Sequence, residues 1–116
     1  MTIQSLQEFQ ATFGTKPVEV EIQFAKEGAF SVLLKPLTSA ERDAFEASIV
    51  GEEGKRNLSN LRARLVAFCW VNAEGKPVGK PDEIGALRAD LVGEIFDKVR
   101  ELNGMDADAA EEAGKG

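Results

Sequence analysis

Two segments in the first third of the chain alternate apolar and polar residues, which is typical of strands with one buried face. In Val18–Phe24 every second residue is apolar, and Phe30–Leu34 repeats the alternation. Gly28 lies between them and can adopt the positive φ that a turn requires. The pattern predicts a β-hairpin over about 18–35. A hairpin alone is marginally stable in water, so helices must cover its apolar face.

Apolar residues at helical spacing predict five helices around this hairpin. Ser5 and Glu8 form a possible capping box, which begins a short helix over about 5–13. Thr38 and Glu41 form a second capping box, which begins a helix over about 39–50. The other predicted helices span about 57–71, 82–87 and 91–103.

The helices around Phe45, Leu61–Leu65 and Ile95–Val99 each carry an apolar face that is expected to pack on the hairpin. Asp82 and Asp90 are the expected N-caps of the last two helices, and Gly104 is expected to end the last one. The expected inward residues are Ala44, Phe45, Ile49, Leu58, Leu61, Leu65, Phe68, Cys69, Leu91, Val92, Ile95, Phe96, Val99 and Leu102. The sequence therefore predicts one α+β domain over 1–105, an N-terminal β-hairpin packed against a small set of α-helices. The acidic segment 106–116 lacks large apolar residues, which predicts a disordered C-terminal tail.

Charge and cysteine content narrow the possible environments and partners. The 116-residue chain has a formal net charge of −6, which disfavours binding to nucleic acid and to anionic membrane surfaces. Its single cysteine cannot form an intrachain disulfide, which favours a reducing compartment. The first residues lack the basic start and apolar core of a secretion signal. We expect a cytosolic protein.

The residue types that carry most enzyme chemistry are scarce. There is no histidine, the commonest general base and metal ligand. Cys69 follows Phe68 on an apolar helix face, where a thiol is typically a core residue rather than a nucleophile. A row of acidic residues on the last helix fits a solvated face better than a metal site: Asp90, Glu94, Asp97 and Glu101. We therefore expect no catalytic residue, no cofactor and no metal.

Four residues are candidates for contact with a partner protein. Arg56, Arg62 and Arg64 concentrate positive charge near the third predicted helix. These arginines could bind an acidic partner or could simply form a solvent-exposed, charged face of the helix. Trp70 is the only tryptophan, and aromatic residues of this kind often anchor interfaces, although a tryptophan in a helix stripe is more often part of the core.

The order of these elements resembles the tail assembly chaperones of long-tailed bacteriophages. The resemblance covers about two-thirds of the chain, and the matching segments are Leu37–Ala47 (LTSAERDAFEA), Arg62–Val71 (RARLVAFCWV), Asn72–Val78, Asp82–Leu87 and Val92–Gly104. Two features depart from the family pattern: Trp70 follows the cysteine, and the link Arg88–Ala89 is short. The N-terminal helix lies outside the resemblance.

The resemblance implies a non-enzymatic chaperone in the cytoplasm of the host bacterium. Such proteins bind the tape-measure protein, keep its long hydrophobic helices soluble, help recruit tail-tube subunits and are absent from the mature virion. In many relatives a minus-one ribosomal frameshift near the gene's end adds a longer product, and codons for Gly114-Lys115 could permit the slip. Two other classes stay open: a structural tail component such as a tube or connector protein, and a small host adaptor or antitoxin-like binding module.

Overall fold

The computed structural model describes residues 2–24, 28–50 and 55–105. Its elements are α1 (Leu6–Phe13), β1 (Val18–Phe24), β2 (Gly28–Leu34), α2 (Ser39–Ile49), α3 (Leu61–Cys69), β3 (Trp70–Val71), α4 (Pro81–Gly85) and α5 (Ala89–Leu102). The predicted α+β class, with a β-hairpin and several helices, is confirmed. The predicted tail over 106–116 lies outside the described residues. In the part of the chain that is described, no helix is both long and apolar enough to cross a membrane.

The predicted hairpin forms, with one buried face. β1 and β2 pair antiparallel, and Val20 lies opposite Val32 while Ile22 lies opposite Phe30. Ile22 and Val32 are buried, whereas Glu21 is exposed on the other face. The hairpin therefore presents one apolar face to the helices, as period-two alternation requires.

A third strand replaces the end of the predicted third helix. Trp70 and Val71 form β3, which pairs antiparallel with β2, so that Trp70 lies opposite Leu34. The sheet order is β1-β2-β3. Helical periodicity had assigned both residues to a helix ending near 71. Aromatic and β-branched residues favour strands, and the free edge of β2 gives their backbone groups a partner.

The same helix also begins later than the predicted position near 57. Asn57 donates its backbone N–H to the Ile49 carbonyl at 2.7 Å, which holds this segment against the end of α2. Asn60 adopts a left-handed conformation with φ 51°, and α3 starts at the next residue. Leu58 is consequently outside the helix and 48% exposed, not inward as expected.

The caps confirm one prediction and correct two. Thr38 Oγ1 accepts from the Glu41 N–H at 3.1 Å, and the Glu41 carboxylate accepts from the Thr38 N–H at 2.9 Å, so the predicted capping box is present. In α4 the N-cap is Lys80, not Asp82, and in α5 it is Arg88, not Asp90. Both helices thus begin earlier than expected, with their aspartates in the first turn.

The core lies between the apolar face of the hairpin and helices α2, α3 and α5. Leu65, Val66 and Cys69 of α3 are fully buried, so this helix lies at the centre of the packing. Ala44 is exposed, and Leu61, Phe68, Leu91 and Leu102 are only partly buried, in contrast to the expectation for inward residues. The other buried residues are Ile22, Val32, Leu34, Phe45, Ile49, Ala63, Val71, Ile84, Val92, Ile95, Phe96, Val99 and Met105.

Candidate binding surfaces

Helix α1 presents an apolar face to solvent. Leu6, Phe9 and Phe13 recur at i, i+3 and i+7 and are 84%, 50% and 57% exposed. The Phe9 and Phe13 rings contact each other, with centroids 5.5 Å apart. None of the eight residues of α1 is buried, whereas each of the other four described helices buries at least one side chain. An eight-residue helix is marginal by itself, so a partner on this face would stabilise it.

Local interactions at both ends of α1 favour the helix, although none of its side chains is buried in the core. Ser5 Oγ accepts from the Glu8 N–H at 3.1 Å, and the Glu8 carboxylate accepts from the Gln4 N–H at 3.1 Å. The sequence predicted this box, although Gln4 rather than Ser5 donates to Glu8. At the other end, a Cβ on residue 14 would lie 2.5 Å from the Gln10 carbonyl oxygen. Gly14 has no Cβ, so the backbone can pass this close to the end of the helix. The exposed link 14–17 then leads to β1.

A second apolar surface is a groove of about 330 Å³ bounded by α3, α4 and α5. Leu58 and Leu87 are on its rim, each about half exposed. Leu61, Ile84 and Val92 also line it. We call this surface the α3–α5 groove. Its lining is mostly aliphatic, which suits an apolar side chain from another molecule.

Arg62 and Asn60 supply the polar groups of the α3–α5 groove. The Arg62 guanidinium lies 5.8 Å from the centroid of the Phe96 ring, a distance that permits a cation–π interaction. Asn60 Nδ2 is 3.5 Å from the Asp82 carboxylate, which links the start of α3 to α4. Arg62 is exposed, so its charge is available to an acidic group on a bound partner.

The four predicted partner-binding residues are distributed over different parts of the fold. Arg62 lines the groove, while Arg56 forms an isolated β-bridge with Val50. Arg64 Nη1 donates to the Ser48 carbonyl at 2.9 Å and to Ser48 Oγ at 2.7 Å, which ties α3 to α2. Trp70 is partly buried against the core. Arg62 is in the first turn of α3, whereas Trp70 follows its last residue and belongs to β3. Partner contact by these residues stays a prediction.

The Cys69 thiol is enclosed by the core. Its side chain is fully buried, and burial raises its pKa to about 11, although Asn103 Nδ2, 3.8 Å from the sulfur, acts in the opposite direction. A thiol with this pKa stays protonated at neutral pH, and only the thiolate is strongly nucleophilic. The location agrees with the interpretation of Cys69 as a core residue.

Three of the four acidic residues in the row on α5 pair with neighbouring cations. Asp97 lies 2.5 Å from Arg100 and Asp90 lies 2.8 Å from Arg88. Lys98 pairs with Glu101 at 3.7 Å, not with Glu94 as the i, i+4 spacing favours. Among the described residues, no group of three or more His, Cys, Asp or Glu side chains could hold a metal ion.

Sequence reasoning did not identify α1 or the α3–α5 groove as surfaces. The periodicity of Leu6, Phe9 and Phe13 is visible in the sequence, but it does not reveal whether the core covers that face. The groove depends on contacts between three helices. Comparisons of the chain with protein-family models, with curated proteins and with solved structures found no match.

Proposed function

We propose that this chain is a non-enzymatic tail assembly chaperone of a long-tailed bacteriophage. In this role it binds the tape-measure protein in the host cytoplasm, helps recruit tail-tube subunits and leaves before the tail is complete. The observation that carries the proposal is the exposed apolar face of α1. The resemblance in the order of segments from Leu37 to Gly104 supports it independently, since α1 lies outside that resemblance.

The geometry of α1 suits the recognition of another amphipathic or apolar helix. Apolar anchors at i, i+3 and i+7 are the pattern by which a short helix packs against a complementary apolar surface. Leu6, Phe9 and Phe13 have this spacing, and two of them are aromatic. When an apolar helix of the tape-measure protein packs on these residues, the apolar face of α1 and that of the partner helix are both removed from water. This packing keeps the tape-measure protein soluble, because its apolar helices are covered and do not associate with each other.

The α3–α5 groove offers the same partner a second contact on the same molecule. Its rim residues Leu58 and Leu87 accept apolar side chains, and Arg62 favours a partner residue with a negative charge. Two weak contacts on one chain bind a long helical partner more tightly than either alone, because the second forms at high effective concentration.

Co-expression with the cognate tape-measure protein tests the proposal. We expect the wild-type chain to raise the soluble yield of that protein. The variant Leu6→Ser/Phe9→Ser/Phe13→Ser should lose most of this effect while its melting temperature stays unchanged, because these side chains are exposed. The matched control Gln7→Ser/Gln10→Ser/Thr12→Ser changes three other exposed residues of α1 and should retain the effect.

Three results would contradict the proposal. The first is no gain in soluble tape-measure protein at matched expression of the wild-type chain. The second is the presence of the chain in purified, complete particles, which would identify a structural tail component. The third is a gene located away from phage tail genes, which would favour a host adaptor or antitoxin-like module. Mass spectrometry of induced cells would also detect a longer, frameshifted product that includes the Gly114-Lys115 junction.

A further inference from the structure

The two edges of the sheet differ in whether another segment of the chain covers them. The outer side of β3 is covered by the segment that follows it: Val71 forms a bridge with Pro77, and the Val78 N–H donates to the Trp70 carbonyl at 3.2 Å. The opposite edge is β1. Within the described residues, the backbone of β1 is hydrogen-bonded only to β2. In the described part of the chain, the β3 edge is therefore covered and the β1 edge is open.

The open edge is long enough to pair with another strand. β1 contains seven residues, all in register with β2, and it has neither a proline nor a bulge between Val18 and Phe24. A strand edge of this kind presents unpaired N–H and C=O groups, which form a template for a further strand. Val18 at its start is 44% exposed, so the edge is accessible there as well.

The charges on β1 determine which strand can pair with it. Glu19 and Glu21 are exposed on the outer face, and neither forms an ion pair with a described lysine or arginine. Among the described residues, the one side-chain hydrogen bond to Glu21 comes from the neighbouring Gln23. Two copies of β1 in antiparallel registers centred on Glu19, Val20 or Glu21 would place a glutamate opposite a glutamate. Like charges directly opposite each other are destabilising, so these carboxylates oppose self-pairing.

We propose that the β1 edge pairs with an extended, basic segment of a partner protein. In this arrangement Lys or Arg side chains at alternate positions of the segment lie opposite Glu19 and Glu21, and backbone hydrogen bonds extend the sheet by one strand. The intervening residues of the segment are apolar and continue the inner face formed by Val20 and Ile22. This interaction is separate from the binding of apolar helices by α1 and the groove, and it does not depend on the proposed function.

A pair of synthetic nine-residue peptides provides the probes, one alternating Lys and Val and the other alternating Glu and Val. Fluorescence anisotropy measures the affinity of each labelled peptide. Amide proton–nitrogen spectra locate the contact, and we expect the largest shifts at Val18–Phe24 for the lysine peptide. The variant Glu19→Lys/Glu21→Lys should bind the lysine peptide at least about tenfold more weakly than wild type, and it should bind the glutamate peptide instead.

The control variant Asp43→Lys/Glu74→Lys makes the same change in net charge at exposed positions on α2 and in the turn after β3. It should retain most of the affinity for the lysine peptide, which separates local pairing from long-range attraction. The proposal is overturned by any of three results: no binding of the lysine peptide up to about 1 mM, equal losses in both variants, or shifts outside β1. A fourth contradicting result would be a wild-type dimer that pairs through β1, because a second copy of the chain would then bind this edge in place of a basic partner segment.

Discussion

Asn103 joins three parts of the fold, and its replacement by alanine should destabilise the protein strongly. Its Oδ1 accepts from the Leu37 N–H at 2.8 Å, a contact between residues 66 positions apart in the sequence. Its Nδ2 donates to the Val99 carbonyl at 2.9 Å and lies 3.8 Å from Cys69 Sγ. One partly buried amide thus connects the end of α5, the link between β2 and α2, and the end of α3.

The magnitude follows from the bonds that alanine removes. Each net hydrogen bond contributes about 1 kcal/mol, and a buried donor left without a partner adds about 1–3 kcal/mol. The bonds to Leu37 and Val99 are both partly buried, so we expect Asn103→Ala to lower the free energy of unfolding by ~2–4 kcal/mol. For a domain of this size that corresponds to a decrease in melting temperature of roughly 8–16 °C.

Asn72 provides a matched control. Its Oδ1 accepts from the Glu74 N–H at 2.9 Å and from the Lys76 N–H at 3.1 Å, so alanine again removes two bonds to the backbone. These bonds are exposed, and water can replace them, so Asn72→Ala should lower the free energy of unfolding by less than ~1 kcal/mol. Urea unfolding followed by circular dichroism measures both variants. If their losses agree within ~0.5 kcal/mol, the reasoning from the burial and long range of the Asn103 contacts is wrong.

Three further predictions concern the core and the charged cap of α2. Leu65→Ala should lower the free energy of unfolding by ~2–5 kcal/mol in urea, because Leu65 is fully buried; a smaller loss would contradict its central position. Cys69 should react with a thiol reagent at pH 8 only as fast as the protein unfolds, and rapid labelling of folded protein would refute its burial. Burial raises the pKa of Glu41, but hydrogen bonds from Lys35 and Thr38 outweigh it, so the pKa lies below the ordinary 4.5. The ionised Glu41 carboxylate therefore stabilises the fold above pH 4.5, and this stabilisation is lost as the pH falls through the folded-state pKa. Glu41→Gln should therefore be less stable than wild type by ~1–2 kcal/mol at pH 7, and thermal unfolding should show this difference shrinking below pH 4.5; a difference independent of pH would contradict the assignment.

Local patterns in the sequence determined the hairpin, the existence of five helices and the capping box of α2. Strand alternation depends on residues two positions apart, and the Thr38–Glu41 box depends on residues three positions apart, so both can be identified without knowledge of the fold. The positive φ of 66° at Gly104 likewise follows from a local preference for glycine after a helix.

Tertiary contacts decided the features that no local pattern contains. Trp70 and Val71 leave the helix because the edge of β2 is close enough to pair with them. Asn103 connects separate elements because the fold places the Leu37 backbone nitrogen 2.8 Å from its Oδ1. The apolar residues of α1 recur at i, i+3 and i+7, as Val92, Ile95 and Val99 do on the buried face of α5, yet the face of α1 stays exposed. Periodicity identifies an apolar face, but the distances between elements determine whether the core covers that face or leaves it for a partner.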